Sequence, residues 1–185
     1  MKSDTKRLSF LRRRLAAVSL VAFDVDGVLT DGGLWIGPRG AEWKRFDVRD
    51  GLGLAALVRV GVRVAFVSGR RSRAVATRAR DLGIAADLQG VRDKAAAVRG
   101  LRRRFDVPRA AVLFVGDDVV DLPAFGESGL SAAPADARPE VLAAADAVLH
   151  SPGGRGAARE VAEAVLRALG RTAALPGLRR APGRE

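Results

Sequence analysis

The sequence predicts an α/β fold of three layers, a parallel β-sheet between two layers of helices. Three short apolar runs, Val18–Phe23, Val62–Val67 and Ala111–Val115, read as strands buried on both faces. They alternate with stretches of helical periodicity, the order expected of parallel strands joined by helical crossovers. Each run also stops abruptly in glycine and polar residues: Asp24-Val25-Asp26-Gly27, Ser68-Gly69-Arg70 and Gly116-Asp117-Asp118.

In chain order, Leu8, Leu11 and Leu15 give residues 6–16 the period of a short basic helix. The first strand, Val18–Asp24, follows. Asp31–Arg49 is the one long stretch that breaks the alternation. Within it Leu34-Trp35-Ile36 and Glu42–Phe46 flank the turn signal Gly37-Pro38-Arg39-Gly40, which predicts a β-hairpin flap over 31–49. Asp50 is placed to cap a helix carrying Leu52, Leu54, Leu57 and Val58. The strand Val62–Val67 leads to a basic helix over 71–82 that Gly83 can close. A brief strand at Ala86–Leu88 precedes a helix over Asp93–Phe105, stopped by Pro108. After Ala111–Val115 come a helix, a strand at Gly129–Ala132, a helix at Pro139–Ala145, a strand at Ala147–Leu149 and a last helix at Ala157–Leu169. The expectation is one domain over 15–170, with a basic lead-in at 1–14 and a mobile basic tail at 171–185.

Composition narrows the function. The 185 residues are 48% hydrophobic, enough for a full core, and carry a net charge of +11. Residues 1–14 hold +5 of that charge and residues 171–185 hold +3, which leaves only +3 on the domain between them. Basicity concentrated in the two ends argues for solvated segments and against a nucleic-acid surface, which needs a basic stripe on the folded body. The absence of cysteine excludes disulfides, thiolate metal sites and a cysteine nucleophile, and suits a reducing cytoplasm. No apolar run reaches the ~20 residues that cross a bilayer. The run Leu15–Phe23 leads straight into two aspartates, so cleaving it as a signal peptide would remove a core strand. The expected location is the cytoplasm.

In a parallel sheet all strand ends lie on one edge, where ligands of such sheets bind. That edge would collect Asp24, Asp26, Ser68, Asp117 and Asp118, with Asp121 one turn later and Lys94 opening a helix. Each residue also has an ordinary reading: aspartates ending a strand, a serine in a turn, a solvated lysine, first-turn helix charges. Their coincidence on one edge is what those readings do not explain. Clustered carboxylates need a compensating cation, and all-oxygen ligands favour Mg²⁺. With a lysine, a hydroxyl and glycine-exposed amides, such a site suits phosphoryl transfer, in which a carboxylate can be the covalent nucleophile.

Asp24-Val25-Asp26-Gly27-Val28-Leu29-Thr30, Ser68-Gly69-Arg70, Lys94 and Gly116-Asp117-Asp118-Val119-Val120-Asp121 resemble, in order, the four signatures of the haloacid dehalogenase-like phosphatases, a Rossmann-like fold. The resemblance spans nearly all of 18–168. It implies that Asp24 attacks phosphorus, that Asp26 is the general acid and then base, and that Asp24, the Asp26 carbonyl and Asp117 bind Mg²⁺. Ser68 and Lys94 would hold phosphoryl oxygens, with Asp118 and Asp121 supporting the metal or Lys94.

The hairpin is too short to be the cap domain of many relatives. Asp31-Gly32-Gly33, Phe46–Gly51 and Gly153–Glu160 resemble the capless 3-deoxy-D-manno-octulosonate 8-phosphate phosphatases of lipopolysaccharide precursor synthesis. That likeness implies a homotetramer whose hairpins form a central barrel and cover neighbouring sites. Nine-carbon ulosonate relatives tend to have glutamate where this chain has Arg70, which favours the eight-carbon sugar acid. Gly27, Thr30, Gly69, Arg70 and Arg78 are the candidate substrate-binding residues, the two arginines for a substrate carboxylate. The alternatives are a nine-carbon ulosonate 9-phosphate phosphatase and a non-catalytic phosphosugar-binding protein.

Overall fold

A computed structural model describes residues 11–175 and residue 177. The first strand, β1 (Leu20–Phe23), is buried along its whole length. It lies between β4 (Arg63–Ser68) and β6 (Val112–Val115), parallel to both, with Phe23 opposite Phe66 and Val115. With β5 (Ala86–Gln89), β7 (Leu130–Ala133) and β8 (Ala147–Val148) they form one six-stranded sheet of order β5-β4-β1-β6-β7-β8, parallel at every pairing. The period-two alternation of a strand sorts its side chains to two faces. Val21, Phe23, Val64 and Phe66 pack with Leu54 and Leu57 of α2 (Val48–Arg59), Val75 of α3 (Arg73–Asp81) and Val161 and Val165 of α7 (Ala157–Ala168). Leu20, Ala22, Ala65 and Val67 pack with Val98 and Leu101 of α4 (Lys94–Phe105) and Ala124 of α5 (Leu122–Gly126). The remaining helix, α6 (Pro139–Ala144), buries Val141 beside Ala133 and Leu122. These are the three layers that the sequence predicts.

Three details differ from the sequence reading. The cap of α2 is Asp47, whose carboxylate accepts from the Arg49 amide at 2.8 Å. Asp50 lies inside the first turn, buried, and accepts from the amides of Gly156 (3.2 Å) and Arg159 (2.7 Å) at the start of α7. Both aspartates of Asp47-Val48-Arg49-Asp50 suit a helix start, and only the packing of α7 against α2 assigns them. The hairpin is present but brief: β2 (Trp35–Ile36) pairs antiparallel with β3 (Glu42–Trp43) across a 3₁₀ turn at Pro38–Gly40.

The domain also extends past the expected 15–170. Residues 11–16 are helical (α1), with Leu11 and Leu15 against the core. Residues 172–175, assigned from the sequence to the mobile tail, form a 3₁₀ turn that buries Leu175 in the main core, and Ala174 accepts from Arg59 at 2.9 Å. One leucine among glycines and arginines is a weak sequence signal, but a buried one anchors its segment. The rest of the lead-in and tail lies outside the described residues. Among the described residues no helix is long and apolar enough to cross a membrane.

Candidate active site

Asp24 is the first residue after β1, and its amide bonds to the Val115 carbonyl at 2.9 Å, one step beyond the ladder to β6. The chain then turns tightly around the Val25 carbonyl, which accepts from the amides of Val28, Leu29 and Thr30. Gly27 has φ +89°, and a Cβ there would sit 2.0 Å from Asp117 Oδ2, so two strand-end loops meet where only glycine fits. Gly116, ending β6, similarly leaves room for the Asp121 side chain, 2.5 Å from the position a Cβ would take. Ser68 closes β4, and its buried hydroxyl accepts from the Arg70 amide at 3.1 Å. Lys94 opens α4 directly after its N-cap, Asp93.

These elements bring Lys94 Nζ between Asp24 Oδ1 (2.8 Å) and Asp121 Oδ1 (2.6 Å), all three side chains being buried. The other Asp121 oxygen accepts from the amides of Asp117 (3.1 Å) and Asp118 (3.3 Å). Oxygens of Asp24, Asp117 and Asp121 lie within 4.8 Å of one another, so three carboxylates face one ammonium. Burial raises Asp24 from 3.8 to about 6; Lys94 opposes the rise and Asp121 adds to it. Burial, with Asp24 and Asp121 alongside, pushes Asp117 up to about 8. For Lys94 burial acts against the charge, but the two aspartates outweigh it and the ammonium is held above its ordinary value.

A divalent cation fits this donor set. Asp117 Oδ1 is buried without a hydrogen-bond partner, a costly state for a carboxylate oxygen. Both oxygens of Asp121 are committed to Lys94 and the backbone, whereas Asp117 keeps an oxygen uncommitted beside Asp24. The donors are all hard oxygens, as Mg²⁺ requires.

Asp26 points elsewhere, to the hairpin. Lys44, just beyond β3, forms an ion pair with Asp26 Oδ1 and lies 3.6 Å from Glu42 Oε1. Arg70 approaches the other Asp26 oxygen at 3.9 Å and bonds Glu42 at 3.0 Å. Lys44 and Glu42 are the site residues that the sequence reading missed. Their signal was present: Glu42 and Lys44 alternate with Trp43, so a strand through them puts both charges on one face.

Not every candidate joins the cluster. The Thr30 hydroxyl is buried and engaged with the backbone, accepting from the Gly32 amide at 3.2 Å, so it shapes the turn. Asp118 is exposed; it caps the turn at Val119 and completes a capping box with Asp121, without touching Lys94. Arg78 stacks over the Phe46 ring at 5.9 Å and reaches the Asp47 carbonyl at 3.5 Å, bracing the hairpin base against α3. Gly69 is exposed at the rim between Ser68 and Arg70. The Gly153-Gly154 stretch supports the Asp26 loop: Gly154 donates to the Val28 carbonyl at 2.9 Å, and its carbonyl accepts from Arg45 at 3.0 Å.

Comparison with known proteins gives the chain's family. The haloacid dehalogenase-like hydrolase family matches residues 88–160. The chain is 40% identical over 166 residues to the 3-deoxy-D-manno-octulosonate 8-phosphate phosphatase of Yersinia pestis, covering 90% of this chain and 89% of the relative. The Moraxella catarrhalis phosphatase of the same name, solved with magnesium, phosphate and 3-deoxy-D-manno-octulosonate (KDO), superposes with a TM-score of 0.85 at 37% identity, over 87% of this chain and 92% of that one. The cobalt-bound Haemophilus influenzae phosphatase gives 0.83 at 43% identity, over 85% and 92%. The chain therefore belongs to the haloacid dehalogenase-like hydrolases, in the family of the 3-deoxy-D-manno-octulosonate 8-phosphate phosphatases.

Proposed function

We propose that this protein is a Mg²⁺-dependent phosphatase that releases phosphate from 3-deoxy-D-manno-octulosonate 8-phosphate. The observation that carries the reading is the buried Asp24–Lys94–Asp121 arrangement beside Asp117 and its unpartnered oxygen. The reactions of the similar phosphatases support it.

Asp24, oriented by Lys94, attacks phosphorus; the aspartyl–phosphorus bond forms as the bond to the sugar oxygen breaks. Asp26, having taken up a proton before the step, gives it to that departing oxygen, then takes one from the water that attacks the aspartyl-phosphate. This second displacement frees phosphate and restores the Asp24 carboxylate. Lys94 and the Ser68 hydroxyl hold phosphoryl oxygens. Asp24, Asp117 and the Asp26 carbonyl would hold Mg²⁺, which when bound supplies positive charge beside the phosphoryl oxygens. Arg70, exposed on the rim, is the cation for the substrate carboxylate.

The hairpin bears on assembly. Trp35, Ile36 and Trp43 are 68%, 71% and 57% exposed, although a two-stranded ribbon is marginal alone in water. We assign them to a homotetramer interface, in which hairpins pack together and cover neighbouring sites. The absence of cysteine suits a cytoplasmic location.

Phosphate release from a panel of eight- and nine-carbon sugar-acid phosphates, with Mg²⁺ and then with EDTA, tests the proposal. Fastest release from the eight-carbon substrate, abolished by EDTA, is expected. Preference for a nine-carbon substrate, or release unaffected by EDTA, would contradict it.

A further inference from the structure

The two catalytic aspartates are held in different ways. Asp24 is gripped by Lys94 from the body of the domain, and its strand-end amide is fixed to β6. Among the described residues, no backbone amide bonds the Asp26 side chain. One of its oxygens meets Lys44 and the other faces Arg70 at 3.9 Å. Lys44 is the closer partner, and its side chain is fully buried, at 0% exposure. A buried ammonium is costly unless paired, so Lys44 is confined to its two carboxylates, Asp26 and Glu42. Glu42 also bonds Arg70 at 3.0 Å, closing a ring of two cations and two anions around Asp26. The Asp26 carboxylate is therefore set in place from the hairpin, 18 residues along the chain, and not from its own loop.

We propose that Lys44 is the positioning residue for Asp26: it holds that carboxylate in the direction of the leaving oxygen, so that proton transfer depends on a correctly seated hairpin. The inference builds on the acid–base role of Asp26 given under Proposed function. Its consequence is that the hairpin serves its own subunit's site through Lys44, in addition to any neighbour it covers. Glu42 holds the ring closed and keeps Lys44 from leaving Asp26 for bulk water.

The proton matters only when the leaving group needs one. A sugar alkoxide leaves poorly without it, whereas p-nitrophenolate leaves unassisted. The experiment compares 3-deoxy-D-manno-octulosonate 8-phosphate with p-nitrophenyl phosphate for wild type, Asp26→Asn, Lys44→Met and Lys44→Arg, all with Mg²⁺ and each with a thermal melt. Asp26→Asn should lose about 10²–10⁴-fold in kcat/KM on the sugar phosphate and far less on the aryl phosphate, because kcat/KM reports leaving-group departure and not the later hydrolysis that both substrates share. Lys44→Met should show the same asymmetry at a smaller scale, roughly 10–100-fold against less than about threefold, because the acid remains but is misplaced. Lys44→Arg, which keeps a cation, should recover most of the sugar-phosphate rate. If Lys44→Met does not fold, Lys44→Gln is judged by the same ratio. Should Asp26→Asn show the asymmetry while the Lys44 variants lose both substrates equally, or neither, the positioning role is overturned and the acid role stands. No asymmetry in Asp26→Asn would remove the acid role itself, and the inference with it.

Discussion

Three carboxylates share one ammonium at the ends of β1 and β6, and that imbalance governs how single residues respond to substitution and pH. Asp24→Asn removes the nucleophile but leaves Lys94 its bond to Asp121, so turnover should vanish while the melting temperature in EDTA stays at or above wild type. Phosphate release and a melt on one preparation check both halves. The pH response has a definite sign. Asp24 and Asp117 titrate near 3.8 in the unfolded chain but at about 6 and about 8 in the metal-free fold. The fold therefore keeps protons that the unfolded chain has lost. Its share of stability from these groups is complete below about pH 4 and disappears as pH rises through about 8. In EDTA, Asp117→Asn should gain on wild type in melting temperature steadily across that range, and Mg²⁺ should stabilise wild type most at its alkaline end. A difference between the two proteins that does not change with pH would show that Asp117 is not the strained group. Asp24, Asp117 and Lys94 were legible as chemistry because each lies within two residues of a strand end or opens a helix. The Lys44–Asp26 pair was not, because only the folded hairpin brings it together.

At the scale of elements, apolar runs with abrupt polar ends located the strands to within about two residues, since a strand buried on both faces has no polar alternation to blur it. Elements whose boundaries depend on tertiary partners were harder to read. Asp47 and Asp50 exchange roles once α7 docks on α2, and Leu175 joins the core through a turn that its sequence does not announce. Leu175→Ala should cost about 2–5 kcal/mol in denaturant unfolding, the range for a truncated core leucine. A cost within about 0.5 kcal/mol, ordinary for surface positions, would mean that the segment does not pack in solution. For the hairpin, replacing Trp35 and Ile36 together by serine should lower the assembled mass in light scattering and turnover in the same sample, with the subunit still folded. Full activity in a wild-type monomer would contradict the shared-site assembly.

Over the whole molecule, the strand order β4-β1-β6 is what makes a site from residues 24, 68 and 117: three distant segments become neighbours because β1 is central, and Lys94 enters at the head of the helix that follows β5. Sequence reasoning could place these residues on one edge from the parallel sheet alone, but not their distances, the committed oxygens of Asp121 or the unpartnered oxygen of Asp117. The proposed reaction requires the carboxylate emerging from β1 to become phosphorylated. Rapid acid quench of the Asp26→Asn variant turning over p-nitrophenyl phosphate with Mg²⁺, followed by digestion and mass spectrometry, tests it directly, because the phenolate leaves without a proton while slowed hydrolysis lets the intermediate accumulate. One phosphoryl group on Asp24, absent when Asp24→Asn is added, is the predicted result. A phosphoryl group on any other residue, or turnover in that variant with none on Asp24, would contradict it.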